Sequence, residues 1–136
     1  MDHLYIAGRE QASNKSLLEA YKITHVLIVA RYVYPEFPDK LKYKAIPADD
    51  LPMFDLFKYF EDAIQFIRTG RAKGNVLVHC AAGISRSSTI VIAYVMKEIG
   101  MSSKAAIEYV TKRHSITSPN AGFITQLKMF EKAIVH

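Results

Sequence analysis

One cysteine is all that this sequence of 136 residues contains, and tryptophan is absent. The lone thiol, Cys80, excludes an intramolecular disulfide. It also has no neighbouring thiol to shield it. Reversible oxidation would therefore pass through a sulfenic acid, a backbone sulfenamide or an external thiol. Half of the residues are hydrophobic, yet no apolar run reaches the ~20 residues that span a bilayer. No secretory signal pattern opens the chain, and Met1-Asp2 lacks the second-position glycine of a myristoylation signal. These absences set aside the membrane and disulfide-scaffold classes and predict an intracellular protein, cytoplasmic or nuclear. Repeats, linkers and low-complexity segments are also lacking, so a single domain over residues 1–136 is expected, long enough for its own core. The formal charge of +5 suits an acidic substrate. Without an aromatic-interleaved basic motif it does not point to nucleic acid. No set of His, Cys, Asp and Glu has metal-ligand spacing, so neither a metal nor another cofactor is expected. Oligomeric state is not encoded in any pattern of the chain.

What is present is concentrated in His79-Cys80-Ala81-Ala82-Gly83-Ile84-Ser85-Arg86-Ser87-Ser88. The apolar run Asn75-Val76-Leu77-Val78 precedes it, and Thr89-Ile90-Val91-Ile92-Ala93 follows. The pattern places a cysteine at the end of a buried strand, then a short loop, then an arginine at a helix N-terminus. A loop of this kind turns its backbone N–H groups inward as an anion nest, and the helix adds the positive end of its dipole. An unperturbed cysteine is mostly protonated at neutral pH, and a positive environment of this kind favours the thiolate. Cys80 can then attack phosphorus and form a covalent intermediate. Ala81, Ala82, Gly83, Ile84 and Ser85 leave room for the loop to curl round one phosphate before Arg86. The planar Arg86 guanidinium can donate two parallel hydrogen bonds to phosphate oxygens and stabilise transition-state charge. Gly83 stands where a tight turn needs a positive φ. Ser87 is placed to hydrogen-bond the Cys80 sulfur, stabilising the thiolate and helping it leave. His79 fits a buried support that bonds the loop backbone near Cys80. The bland alternative for Cys80 is a small buried core residue.

This stretch resembles the H-C-x5-R-S/T loop of the cysteine-based protein phosphatases, and its Ala82 to Ser87 portion resembles the dual-specificity branch. The resemblance covers nearly the whole chain. Leu4 to Gly8 looks like the family's opening strand and Ile23 to Ala30 its second, with Ile28 where many members have Asn. Ser118-Pro119-Asn120-Ala121-Gly122-Phe123 and Gln126-Leu127 resemble the start of its last helix, which makes Asn120 a supporting residue near the phosphate loop. It implies a metal-independent hydrolase of phosphotyrosine and phosphoserine or phosphothreonine in protein substrates, with a cysteinyl-phosphate intermediate. Nothing resembles a kinase-docking domain, and a short N-terminal portion implies a shallow pocket that admits all three phosphoresidues.

Such chemistry needs a general acid that later serves as base. The Pro-bounded stretch Pro47-Ala48-Asp49-Asp50-Leu51-Pro52 offers two adjacent aspartates. The family resemblance selects Asp50, with Asp49 as runner-up. Asp55 reads instead as a helix N-cap. Two other functions stay open: a non-catalytic phosphate-reading scaffold, and a phosphatase of a non-protein ester. The loop has Ala81, Ala82 and Ile84 where phosphoinositide phosphatases usually carry lysines. It has Ser85 where RNA-triphosphatase relatives have Asn.

Along the chain, strands are expected at Leu4 to Gly8, His25 to Ala30, Tyr43 to Ile46 and Asn75 to His79. Helices are expected from Ser16 to Tyr21, over residues 55–69, from Ser87 to Ile99 and from Ser102 to about Arg113. A last helix is expected to be capped by Ser118, with Pro119 at its first position. Strands alternating with helices imply an α/β fold: a central, mostly parallel sheet flanked by helices, with the site at the carboxyl ends of the strands.

Overall fold

β-branched and apolar residues dominate the central strands, and helices link successive strands except the second and third, which a loop over residues 30–41 joins. In the computed structural model, which describes residues 1–134, four strands form one sheet: β1 (Leu4–Ala7), β2 (Ile23–Val29), β3 (Lys42–Ile46) and β4 (Asn75–His79). The spatial order is β1-β4-β2-β3 and all three pairings are parallel. The helices are α1 (Arg9–Ala12), α2 (Lys15–Ala20), α3 (Phe60–Lys73), α4 (Arg86–Ile99), α5 (Ser103–Arg113) and α6 (Ala121–Ala133).

Side-chain alternation sends each strand's residues to two cores. Leu27, Val29, Val76 and Val78 pack with α3 to α6, whereas Val26, Ile28 and Leu77 join Leu18 and Cys80 on the side of α1 and α2. α4 is buried from Ser87 through Met96. It is the central helix, and full burial of each of its large aliphatics contributes about 1.5–3 kcal/mol. That rigid core fixes where α4 begins, and so fixes Arg86.

Several boundaries differ from the sequence reading. The last helix is capped by Asn120, whose Oδ1 accepts from Phe123 N at 2.9 Å, and not by Ser118. Ser118 lies two residues before that cap, with its N–H donating to the Ile84 carbonyl 2.8 Å away, and Asn120 is at least as good a capping residue as serine. α1 was not anticipated, being a four-residue turn with no apolar period to reveal it. The segment expected over 55–69 is a 3-10 turn at Phe57–Tyr59 followed by α3, which runs on to Lys73. Asp55 Oδ1 accepts from Lys58 N at 3.3 Å, but the N-cap position of the 3-10 turn is Leu56, one residue later than expected. Lys42 and Lys44 lie on an edge strand, since among the described residues β3 pairs only with β2. The other strand and helix expectations hold to within one or two residues, apart from boundary shifts of this kind.

α6 meets the acid-bearing loop closely at Gly122. A Cβ there would come within 1.8 Å of the Pro52 carbonyl oxygen. Backbone cannot yield as a flexible side chain does, so Gly122→Ala is expected to cost about 1–3 kcal/mol. Urea denaturation checks the value, and kcat for an aryl phosphate should fall with it because the 50–54 loop is pushed away.

Candidate active site

β4 ends at His79, and the next residue, Cys80, is buried below the loop 81–85. Gly83 has φ of 75°, the left-handed region that a side chain would disfavour, so the expected turn is present. Its N–H donates to Cys80 Sγ at 3.2 Å. Ser87 Oγ lies 3.2 Å from the same sulfur. The Gly83 N–H and the Ser87 hydroxyl thus converge on Sγ, and both can donate to it once it is a thiolate.

The loop carbonyls are tied away from the sulfur. Arg9 N donates to Ala81 O at 2.9 Å, Ser118 N to Ile84 O at 2.8 Å, and His114 Nε2 to Gly83 O at 2.6 Å. A trans peptide points its C=O and N–H in opposite directions. Outward carbonyls therefore aim the N–H groups of Ala82, Ser85 and Ile84 inward, which is the nest the sequence suggested. Behind the loop, α4 opens with no side-chain cap from Ser85. Ser85 Oγ accepts instead from Asn120 N at 3.0 Å.

Arg86 is held by its Nη1, which donates to Ala48 O at 3.0 Å. Its buried Nε has no hydrogen-bond partner among the described residues. A buried guanidinium N–H left unpaired is costly, and in a loop of inward amides it is a donor suited to an anion. The Ala48 carbonyl also accepts from Arg31 N at 2.9 Å, so one carbonyl links Arg86 to the start of the aspartate loop.

The two aspartates separate in their partners. Asp49 Oδ1 pairs with Arg31 Nε at 3.0 Å. Asp50 is exposed, and its Oδ1 accepts from Asn120 Nδ2 at 2.9 Å. Asn120 therefore touches the acid candidate, the Ser85 hydroxyl and the first turn of α6 at once. Gln126 fixes the far end of the same loop. Its Oε1 accepts from Leu56 N and Phe57 N, both at 2.8 Å, and its Nε2 donates to Phe54 O at 2.8 Å. The sequence reading placed neither Gln126 nor His114 at the site. Both act across long stretches of chain and leave no local signal.

His79 is buried, and its Nδ1 donates to Cys80 O at 3.3 Å. Burial lowers its pKa, against the weaker opposing effect of that hydrogen bond. Burial likewise lowers that of His25. With folded-state values below 6.5, the unfolded chain binds the extra protons. Stability from these two groups is complete above that pH and falls as pH drops toward the folded-state values. His79→Gln should flatten that acid-side slope in urea denaturation.

The match to known proteins follows this geometry. Residues 4–133 match the model of the dual specificity phosphatase catalytic domain. The chain belongs to that family. Family and fold together make it a cysteine-dependent protein phosphatase domain. It is 46% identical over 132 residues to dual specificity protein phosphatase 1B of Arabidopsis thaliana, covering 96% of this chain and 79% of that protein. It is 44% identical over 132 residues to MAP kinase phosphatase with leucine-rich repeats protein 1 of Dictyostelium discoideum, covering 97% of this chain but spanning only 16% of that protein's length. The crystal structure of DUSP15 superposes with a TM-score of 0.93 at 37% identity, covering 98% of this chain and 85% of that one. The fold class expected from the sequence is thus the fold found. Among the described residues, no helix is long and apolar enough to cross a membrane.

Proposed function

We propose that this domain hydrolyses phosphate monoesters of tyrosine, serine and threonine in protein substrates, with no metal ion, through a phosphocysteine. The observation that carries the reading is the convergence on Cys80 Sγ of the Gly83 N–H and Ser87 Oγ, beneath inward amides and the unpaired Arg86 Nε. Residues 81–86 hold the phosphoryl oxygens. Cys80 Sγ attacks phosphorus, the S–P bond forms, and the ester P–O bond breaks as Asp50 gives its proton to the leaving oxygen. The Asp50 carboxylate then takes a proton from water, whose oxygen attacks phosphorus. The S–P bond breaks, inorganic phosphate leaves, and Ser87 donates to the returning thiolate. His79 supports the loop from below, and Asn120 holds Asp50 toward it.

The domain spans residues 1–136 in this reading, acts on phosphorylated proteins, and works in the reducing cell interior, where a lone thiol stays free. The test is hydrolysis of an aryl phosphate with a chelator present. Turnover should persist. Asp50→Asn should lower kcat by ~10²–10³-fold. Asp49→Asn, which removes an exposed ion pair, should change it by less than about fivefold. Loss of activity to the chelator, or a larger loss in Asp49→Asn, overturns the scheme or its acid. Phosphopeptide binding without any turnover would show a phosphate reader instead.

A further inference from the structure

We infer that His114 is a positioning residue for the phosphate cradle: its Nε2–H holds the Gly83 carbonyl outward and thereby aims the Ile84 N–H at the bound phosphoryl group. The distance is 2.6 Å. His114 stands at the C-cap of α5, where φ of −141° and ψ of 86° turn the chain out of the helix and toward the loop. The Ile84 N–H belongs to the same peptide unit as the Gly83 carbonyl, so fixing one end fixes the other.

This peptide needs an external hold more than its neighbours do. Gly83 has no Cβ to penalise a flip of the following peptide. Flipped, the unit would withdraw an amide from the cradle and present a carbonyl dipole to a phosphate dianion. The carbonyls of Ala81 and Ile84 are held by backbone N–H groups. Among the described residues, Gly83 O is held by side chains alone, His114 and the more distant Ser88 Oγ at 3.4 Å. Replacing His114 therefore leaves this carbonyl only the long Ser88 contact, whereas no side-chain substitution removes the backbone donors that hold Ala81 O and Ile84 O. A carbonyl only accepts, so Nε2 carries the proton in this contact.

The inference rests on the loop being a phosphate cradle, and the test separates the two ideas without relying on turnover. Cys80 is alkylated with iodoacetate and with iodoacetamide; in both, an S–C bond forms and iodide leaves. The anionic reagent is drawn by inward amides, and the neutral one is not. The rate ratio for the wild-type protein, relative to that for glutathione, should favour iodoacetate. His114→Ala should lower this preference, and should raise the inhibition constant of inorganic phosphate at least about tenfold, since outright loss of one oxyanion donor costs ~10²–10³-fold. His114→Gln, whose amide can donate to the same carbonyl, should restore both, with the melting temperature unchanged. His114→Leu, which fills the space without a donor, replaces the alanine variant if that fails to fold. No iodoacetate preference in the wild type sinks the cradle itself. A preference retained in His114→Ala or His114→Leu, or a loss equal in His114→Gln, overturns the role of His114 while the cradle stands.

Discussion

Replacing Cys80 by serine is expected to lower kcat at least about 10⁴-fold, because removing the nucleophile of a concerted catalytic set removes most of its acceleration. The substituted hydroxyl is similar in size but far less acidic, so the donors that stabilise a thiolate cannot generate an alkoxide. Binding should survive. The amides of Ala82, Ile84 and Ser85 do not depend on sulfur, since the carbonyls of their peptide units are tied by Arg9, His114 and Ser118. Arg86 is anchored separately, on the Ala48 carbonyl. Calorimetric titration with a phosphopeptide should therefore give an affinity close to that of the wild type, beside steady-state rates near background. Full activity in Cys80→Ser would remove the thiolate from the mechanism.

Arg86→Lys should be nearly as damaging, lowering kcat/KM by ~10²–10³-fold. Lysine keeps the positive charge but not the planar fork, so it cannot bond two phosphate oxygens in parallel. The geometry adds a second loss. Arg86 Nη1 reaches Ala48 O while Nε remains unpaired, so the guanidinium joins the acid loop to the cradle. An ammonium can make one of these contacts and not both. The effect should thus appear in kcat as well as KM, because Ala48 and Asp50 belong to the same loop. A change confined to KM, measured with an aryl phosphate and a phosphopeptide, would leave Arg86 as a binding residue only.

The phosphate loop was legible because its parts are contiguous. Cys80, Gly83, Arg86 and Ser87 lie within one short stretch, and the apolar runs on either side announce a strand and a helix. The continuous apolar runs of β2 and β4 and the cap at Ser102 were legible for the same local reason. Ser102 Oγ does accept from Ala105 N, at 3.1 Å. What connects distant segments was not. The strand order β1-β4-β2-β3 follows from packing, and right-handed crossovers constrain its hand without naming each strand's neighbour. Asp50 and Asn120 meet although 70 residues apart, and Gly83 and His114 although 31 apart. Ser118 looked like a cap because Ser-Pro is a strong local signal. Asn120, two residues further on, is an equally strong cap, and its Oδ1 accepts from Phe123 N instead. The preference for Asp50 over Asp49 came from family resemblance alone. In the structure the two differ in partner, Asp49 pairing with Arg31 and Asp50 with Asn120.

The most direct test of the central claim is to trap the intermediate. Wild-type protein is mixed with a phosphorus-labelled aryl phosphate, quenched within the first turnover, digested and mapped. The account predicts label on the peptide containing Cys80, absent from Cys80→Ser and lost when the wild-type reaction is left to complete. Turnover with no label on Cys80, or label on another residue, would contradict it.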